Sequence, residues 1–564
     1  MPQSRNRQMT PAPSRALRTK KDMRLSLGAI CLLLFVAPFI PRIAQSQATA
    51  VREADAQCAG CHAEIYRKYL TTPMANASGL ATDKLKPATF LHGPSGVEYK
   101  ISTVNGKALL ASRSPNGSEG FTLTYFLGSG HLGTTYLYSI GNYLFESPVA
   151  WYAASNSYDM KPGLADIAQA PPPLPMQSSC MRCHMSSVRN ADPGTINRYE
   201  GLPFLHSGIT CEACHGDSRE HVLTQSKGTI VNPSKLDAGR RDSVCISCHL
   251  EGDVSIERAG HNALDYRPGD LISSYVAYYV KSGGDLTARG VSEVEQLSQS
   301  TCKRVSGERM SCTSCHDPHY TPDAEHRTAF YRNKCLGCHS QPEFATAHHP
   351  ENQDCTSCHM PAAGAANILH VAWTDHRILK IPEAPKTEAP RTGERTLVPI
   401  FSPDASDRDL GMAYYQSLLE GDRLFESAAW ELLKQQQATI SNDKDALDAL
   451  GNLGAERGDS QTAESAFSRV LELDPRDLTA LSNLAILRAK EGKLKDAISM
   501  LHVAFDDNED VPGLAMNLAR VECMAGDETA ARTTLKAALY YSPNLDDMRR
   551  MLGQMTACAD RGRK

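Results

Sequence analysis

Cys312-Thr-Ser-Cys-His-Asp-Pro-His319 sets the pattern for more than half of this chain. Its first five residues, Cys-x-x-Cys-His, occur seven times: Cys58 and Cys61 with His62, Cys180 and Cys183 with His184, Cys211 and Cys214 with His215, Cys245 and Cys248 with His249, Cys312 and Cys315 with His316, Cys335 and Cys338 with His339, and Cys355 and Cys358 with His359. Fourteen of the eighteen cysteines are used in this way. Cysteines at i and i+3 lie on one face of a helical turn. A structural zinc site also uses paired cysteines, but it does not require a histidine after every second one. A redox dithiol needs it still less. The arrangement suits covalent haem c: two thiols add to the two vinyl groups of one porphyrin, and the adjacent histidine reaches the iron. Seven such groups would themselves fill much of the interior, which suits the modest apolar content between motifs.

The rest of the chain is consistent with export. A basic stretch with Arg15, Arg18, Lys20, Lys21 and Arg24 precedes an apolar run from Leu25 to Ile40 and small residues around Ala44 to Ala48. Residues 1–48 therefore read as a signal peptide, cleaved near Ala48. Pro38, Pro41 and the short apolar length count against a spanning helix, and Cys31 reads as part of the signal. An oxidising periplasm would convert so many unmodified cysteines into disulfides, so export and haem attachment support one another. The net charge of -5 over 564 residues offers no surface of the kind nucleic acid requires.

The expected fold class is mainly α. Residues 49–400 form a heptahaem cytochrome domain packed on its haems, with short helices, loops and a small β insertion at 86–160. Within that insertion, Glu98 to Leu110 reads as two strands around Asn105-Gly106, and Phe121 to Tyr152 as further strands broken at Gly141-Asn142. Pro382 to Pro403 reads as a linker. From about Asp407 the texture repeats with a period of 34 residues. Leu450, Leu484 and Leu518 share one position; Gly458, Gly492 and Gly526 the next; then Ala463, Ala497 and Ala531; then Phe467, Leu501 and Leu535. An earlier degenerate copy has Ala429 and Leu433 in register but Leu424 at the glycine position. These residues resemble the tetratricopeptide family, so 407–560 is expected to be an α-solenoid that docks a protein partner. Cys523 and Cys558 stand 35 apart, and both a disulfide between stacked helices and two free thiols are compatible with that spacing.

The second axial ligand decides what each iron can do, since two strong ligands favour electron transfer and an open position admits a substrate. Eleven further histidines are available in the cytochrome region. His221 follows His215 by six residues and His319 follows His316 by three, too short to pass around the rim of the nearby haem. Each would ligate a neighbouring haem and tie adjacent haems together. His92, His261 and His326 read as structural or surface residues.

The stretches Cys211-Glu-Ala-Cys-His-Gly-Asp-Ser-Arg-Glu-His221, Cys312 to His319 and the pair His348-His349 before Cys355 resemble multihaem c-type cytochromes related to the tetrahaem electron acceptor of hydroxylamine oxidoreductase, over about residues 55–380. The resemblance implies distal ligation by His221, His319 and one of His348 or His349. His370-Val-Ala-Trp-Thr-Asp-His376 resembles the closing segment of such cytochromes fused to tetratricopeptide repeats, which adds His370 and His376. The first motif departs from the pattern: Met74 stands where a distal histidine is expected, either as a ligand or as a packing residue that leaves the iron open. His131, in Gly128-Ser-Gly-His-Leu-Gly133, and His206, before Cys211, are alternatives for this or another haem.

The expected function is periplasmic electron transfer through seven covalent haems, with redox proteins as partners and the repeats for docking. The alternative is a multihaem oxidoreductase acting on a small nitrogen or sulfur compound at one open haem. Cys-x-x-Cys-Lys, the catalytic motif of the pentahaem nitrite reductases, does not occur, and the balance favours a carrier over a catalyst. A membrane-associated redox complex is a third setting the sequence permits.

Overall fold

The 34-residue repeat becomes a run of antiparallel helix pairs, and its repeated positions are the ones that close it. Helices Lys444–Arg457 and Ser460–Leu473, Leu478–Lys490 and Leu494–Asp507, and Pro512–Met524 and Glu528–Tyr541 form the three regular copies. Ala463, Ala497 and Ala531 are fully buried, so the paired helices approach closely. Phe467, Leu501 and Leu535, also fully buried, fill the space beside them, each contributing about 1.5–3 kcal/mol. Gly458, Gly492 and Gly526 carry φ of 78°, 80° and 86°, the left-handed conformation that ends one helix and turns the chain into the next. Asp443, Asp459, Asp477 and Asp527 cap helix N-termini by accepting backbone N–H groups. A degenerate copy precedes them, Asp407–Leu419 with Glu426–Gln435, in which Ala429 and Leu433 are fully buried. Leu424, at the glycine position, is 72% exposed, and the turn is made instead by Gly421 with φ 100°. Cys523 is disulfide-bonded; Cys558 lies outside the described residues.

The computed structural model describes residues 49–555 apart from 116, 283–290, 342–343, 345–347, 349–350, 365–371, 382–395 and 402–404. The expected signal peptide, Cys31, His349, His370 and most of the linker lie outside them.

The β insertion is a ten-stranded antiparallel sheet running from Ser78 to Pro175, wider than the 86–160 expected. Val97–Val104 and Lys107–Ser114 meet at Asn105-Gly106, where both residues have positive φ, as the tight hairpin turn requires. The edge strands Ser78–Leu80 and Leu174–Pro175 are too short to carry an alternating pattern. Tyr99, Ile101, Leu110, Tyr136, Tyr138 and Phe145 fill one face. His92 is satisfied here as a structural residue, with Nδ1 on Ser95 Oγ at 2.7 Å and Nε2 on the Ala165 carbonyl at 2.9 Å.

Polar contacts fasten the repeats to the motif-bearing part. Arg408, 8% exposed, bonds Asp443 at 2.7 Å, Asp409 at 3.1 Å and the Glu257 carbonyl at 2.7 Å, and Arg258 reaches Asp409 at 2.5 Å. A second contact joins Arg198 to Asp507 at 3.0 Å, with Asn508 donating to the Gly194 carbonyl at 2.8 Å. Removing one partner of a buried pair strands the other charge, so Arg408→Ala is expected to cost about 3–5 kcal/mol. A lowered denaturant midpoint in circular dichroism checks it; an unchanged midpoint would show that the pair contributes nothing.

Asp510 sits beside this contact, 4% exposed, with the Asn197 side chain as its polar neighbour. Burial pushes its pKa up to about 6 from 3.8. The unfolded chain releases this proton near pH 4 and the folded chain near pH 6, so stability falls as pH rises through that window. Asp510→Asn is expected to remove this loss and raise stability at pH 7 by up to about 3 kcal/mol. Melting temperatures of the two proteins at pH 4 and pH 7 check it: they should diverge only at the higher pH.

Candidate haem centres

Apart from Ala56–Tyr69 and Ala238–His249, which carry the first and fourth motifs, the helices in and beside the motifs are short and bury almost nothing. Glu212–His215, Arg219–Thr224, Thr301–Ser306, Cys312–Cys315, Arg327–Leu336 and Cys355–His359 contain no buried residue, whereas Lys444–Arg457 of the repeats alone buries seven. A helix of four to ten residues is not stable on its own propensity. Something other than protein side chains must supply the apolar surface that holds them in place.

The histidines state what that is. The rings of His62 and His221 have centroids 6.4 Å apart and planes 22° apart. His215 and His319 stand 6.0 Å apart at 11°, His316 and His376 6.2 Å at 30°, and His359 and His348 5.9 Å at 21°. These distances are too long for ring-to-ring contact, which falls at about 3.5–4 Å between carbon atoms. They match two imidazoles ligating one metal from opposite sides, with bonds of about 2 Å and the inner half of a ring on each side. Every pair joins the histidine of a motif to one outside all motifs.

Hydrogen bonds fix which nitrogen faces inward. Nδ1 of His215 bonds the Val231 carbonyl at 2.8 Å and Nδ1 of His221 the Ser226 carbonyl at 2.9 Å. Nδ1 of His359 bonds the Leu379 carbonyl at 2.6 Å and Nδ1 of His376 the Thr374 carbonyl at 2.8 Å. A carbonyl accepts only from a protonated Nδ1, so Nε2 keeps its lone pair for a metal. Burial first, and the charge of His376 second, push His316 down to about 4, so its ring is neutral at pH 7. Burial and His215 lower His319 as well. Four histidine pairs, each beside two motif thiols, fit haem c.

Cysteines of different motifs also meet. Cys58 and Cys211 lie within 4.8 Å of each other and of Asp55. Cys183 lies beside Cys248, Cys245 beside Cys312, and Cys335 beside Cys355. Cys214 feels the charge of Cys248. The motifs are therefore close neighbours in space as well as in sequence.

The remaining site residues fall as follows. Among the described residues, His184, His249 and His339 have no histidine ring opposite them; Phe344 instead lies 4.6 Å from both His339 and His348. Met74 packs with Tyr69, Leu70 and Ala75 in a small apolar cluster, and the ring facing His62 is that of His221. His131 is exposed on its glycine loop. His206 is half-buried on the strand Phe204–Ser207 with its Nδ1 unpartnered, an orphan atom that suits a ligand from outside the chain. His261 stacks edge-on against Tyr275, and exposed His326 bonds Asp323 at 2.7 Å. Sequence reasoning missed Phe344 and the carbonyls that orient the rings; the carbonyls belong to the backbone, so no residue type announces them.

Family models match two stretches of the chain: "Cytochrome c554 and c-prime" over residues 155–216 and "Doubled CXXCH motif" over 305–344. Each stretch holds two of the motifs. A curated relative, the multiheme cytochrome MtrA of Shewanella baltica, is 24% identical over 174 residues, 29% of this chain. The chain spans about half of that relative's length, 52%. Solved structures similar to the repeats include MamA from Desulfovibrio magneticus, at 20% identity and TM-score 0.25, covering 28% of this chain and 88% of that one. A tetratricopeptide repeat protein from Parabacteroides merdae is 19% identical with TM-score 0.24, covering 28% and 62%. The motif-bearing part thus resembles multihaem c-type cytochromes, and the C-terminal part is, by its own helix pairs, a 34-residue repeat array. No helix among the described residues is long and apolar enough to cross a membrane.

Proposed function

We propose that this chain is an exported, periplasmic electron carrier that holds seven haems, one on each Cys-x-x-Cys-His motif. The observation that carries the reading is the set of four histidine pairs at 5.9–6.4 Å. Two nitrogen ligands leave an iron no open position, which favours electron transfer over catalysis. Haem, when bound, supplies one-electron redox chemistry. The chain's own residues do the rest. The paired thiols would anchor each haem, and its iron would be held by the motif histidine together with His221 at the first motif, His319 at the third, His376 at the fifth and His348 at the seventh. Backbone carbonyls hold the rings of His215, His221, His359 and His376 in the tautomer that ligation needs. The repeat array docks a protein partner, which brings a redox protein, or a membrane-associated redox complex, within reach of the motif region.

Electron paramagnetic resonance of the oxidised protein, run alongside a coulometric reductive titration, tests this. The expected result is low-spin iron at the four paired sites and uptake of one electron per motif. A strong high-spin signal that responds to small nitrogen or sulfur ligands would instead favour the oxidoreductase.

A further inference from the structure

We infer that the fifth motif, Cys312 to His316, is the obligatory bridge between a four-motif cluster, the first to the fourth, and a two-motif arm, the sixth and seventh. The inference rests on the seven-haem reading and adds to it the order of the sites in space.

The contacts that join motifs are of two kinds, shared ligands and neighbouring cysteines, which agree where the first motif meets the third and otherwise complete one another. On the cluster side, His319 follows the fifth motif by three residues and its ring faces His215 of the third. His221 follows the third motif and faces His62 of the first, where Cys58 and Cys211 also meet. Cys312 of the fifth motif meets Cys245 of the fourth, and Cys248 of the fourth meets Cys183 of the second. The third and fourth motifs also adjoin, through Cys214 and Cys248, so the cluster closes on itself. On the arm side, His376 faces His316 of the fifth motif, and its segment folds back beside the seventh, where the Leu379 carbonyl holds His359. His348 faces His359, and Cys335 of the sixth motif meets Cys355 of the seventh.

Among the described residues, these contacts link the sixth and seventh motifs to the first four only through the fifth. Electron hopping requires close approach of successive centres, so a path from arm to cluster runs through His316. The repeats touch the other pole: the ion pairs and hydrogen bonds that fasten them to the motif-bearing part start from Arg198, Gly194, Glu257, Arg258 and Lys281. The arm therefore stands as the terminus away from the docked array, and the fifth motif controls traffic between the two.

Protein-film voltammetry tests this on the holoprotein, tethered to gold through Ser340→Cys beside His339, with Cys302→Ser removing the unpaired cysteine found outside the motifs among the described residues. At fast scan the parent is expected to exchange seven electrons per chain, one for each motif. Without the haem of the fifth motif (Cys312→Ala with Cys315→Ala) the count falls to two, the arm alone. Without that of the fourth motif (Cys245→Ala with Cys248→Ala) it falls to five, because only the second motif depends on the fourth. Intact mass confirms the loss of one haem in each variant. If the fifth-motif variant does not fold, His376→Met keeps the porphyrin and raises the potential at that site, and the fast-scan count must drop below seven. A count of six without the fifth motif, or seven with His376→Met, overturns the bridge. A parent mass or film charge below seven haems overturns the underlying reading instead.

Discussion

Produced without haem attachment, the chain is expected to become protease-sensitive at residues 211–224 and 301–376 while the array from 407 to 554 stays intact. The short helices in and beside the motifs there bury no residue, so the unloaded polypeptide has little to hold them, whereas the part between keeps protein clusters on Ile246, Ile256, Tyr278 and Tyr279. The array has clusters of its own, one of them built on Leu501, Leu514, Leu518 and Leu535 and another on Leu447, Leu450, Phe467 and Val470. Local opening costs little where few apolar contacts resist it. If haem contributes even about 4 kcal/mol to those stretches, its loss raises the open population roughly a thousandfold, and cleavage follows that population. Limited proteolysis with mass mapping of loaded and unloaded chains checks this. Equal protection of 211–224 and 301–376 in both would show that the protein core alone suffices.

The second large effect is spectroscopic. His221→Ala is expected to convert one low-spin iron to high spin and leave the others unchanged, because His221 is the ring opposite His62. His319→Ala should do the same at His215, and the two effects should add, since the rings serve different sites. Added imidazole should restore the low-spin signal in each variant, which a merely structural defect would not allow. Met74→Ala should leave the spin state untouched, because Met74 packs against Tyr69 and Ala75. High-spin iron in the Met74 variant and none in the His221 variant would reverse the assignment.

What the sequence announced and what it hid divide along physical lines. The repeats were legible to the residue, because Ala463 or Phe467 recurs at a fixed spacing and each copy solves the same packing problem. Leu424 broke the pattern, and Gly421 explains why: the positive φ moved three residues earlier. The hairpin at Asn105-Gly106 was equally clear, since few other dipeptides tolerate that turn. The width of the sheet was not, because strands of two or three residues, such as Leu174–Pro175, carry no period.

At the haem centres, short chain spacing singled out His221 and His319, since neither can turn back on its own motif. His348 and His376 came only from resemblance, and their partners came from neither source. A histidine's partner is chosen by the tertiary fold, not by nearness in the chain, as when His62 meets His221. Met74 drew attention through its closeness in sequence to the first motif, yet the ring that faces His62 arrives from beyond the third.

The mass of the intact, exported protein tests the whole account most directly. Seven covalent haem increments on the mature polypeptide, stable to acid and to reduction, are what the motifs and their paired rings require. A bare chain, or one carrying zinc in place of iron porphyrin, would contradict it.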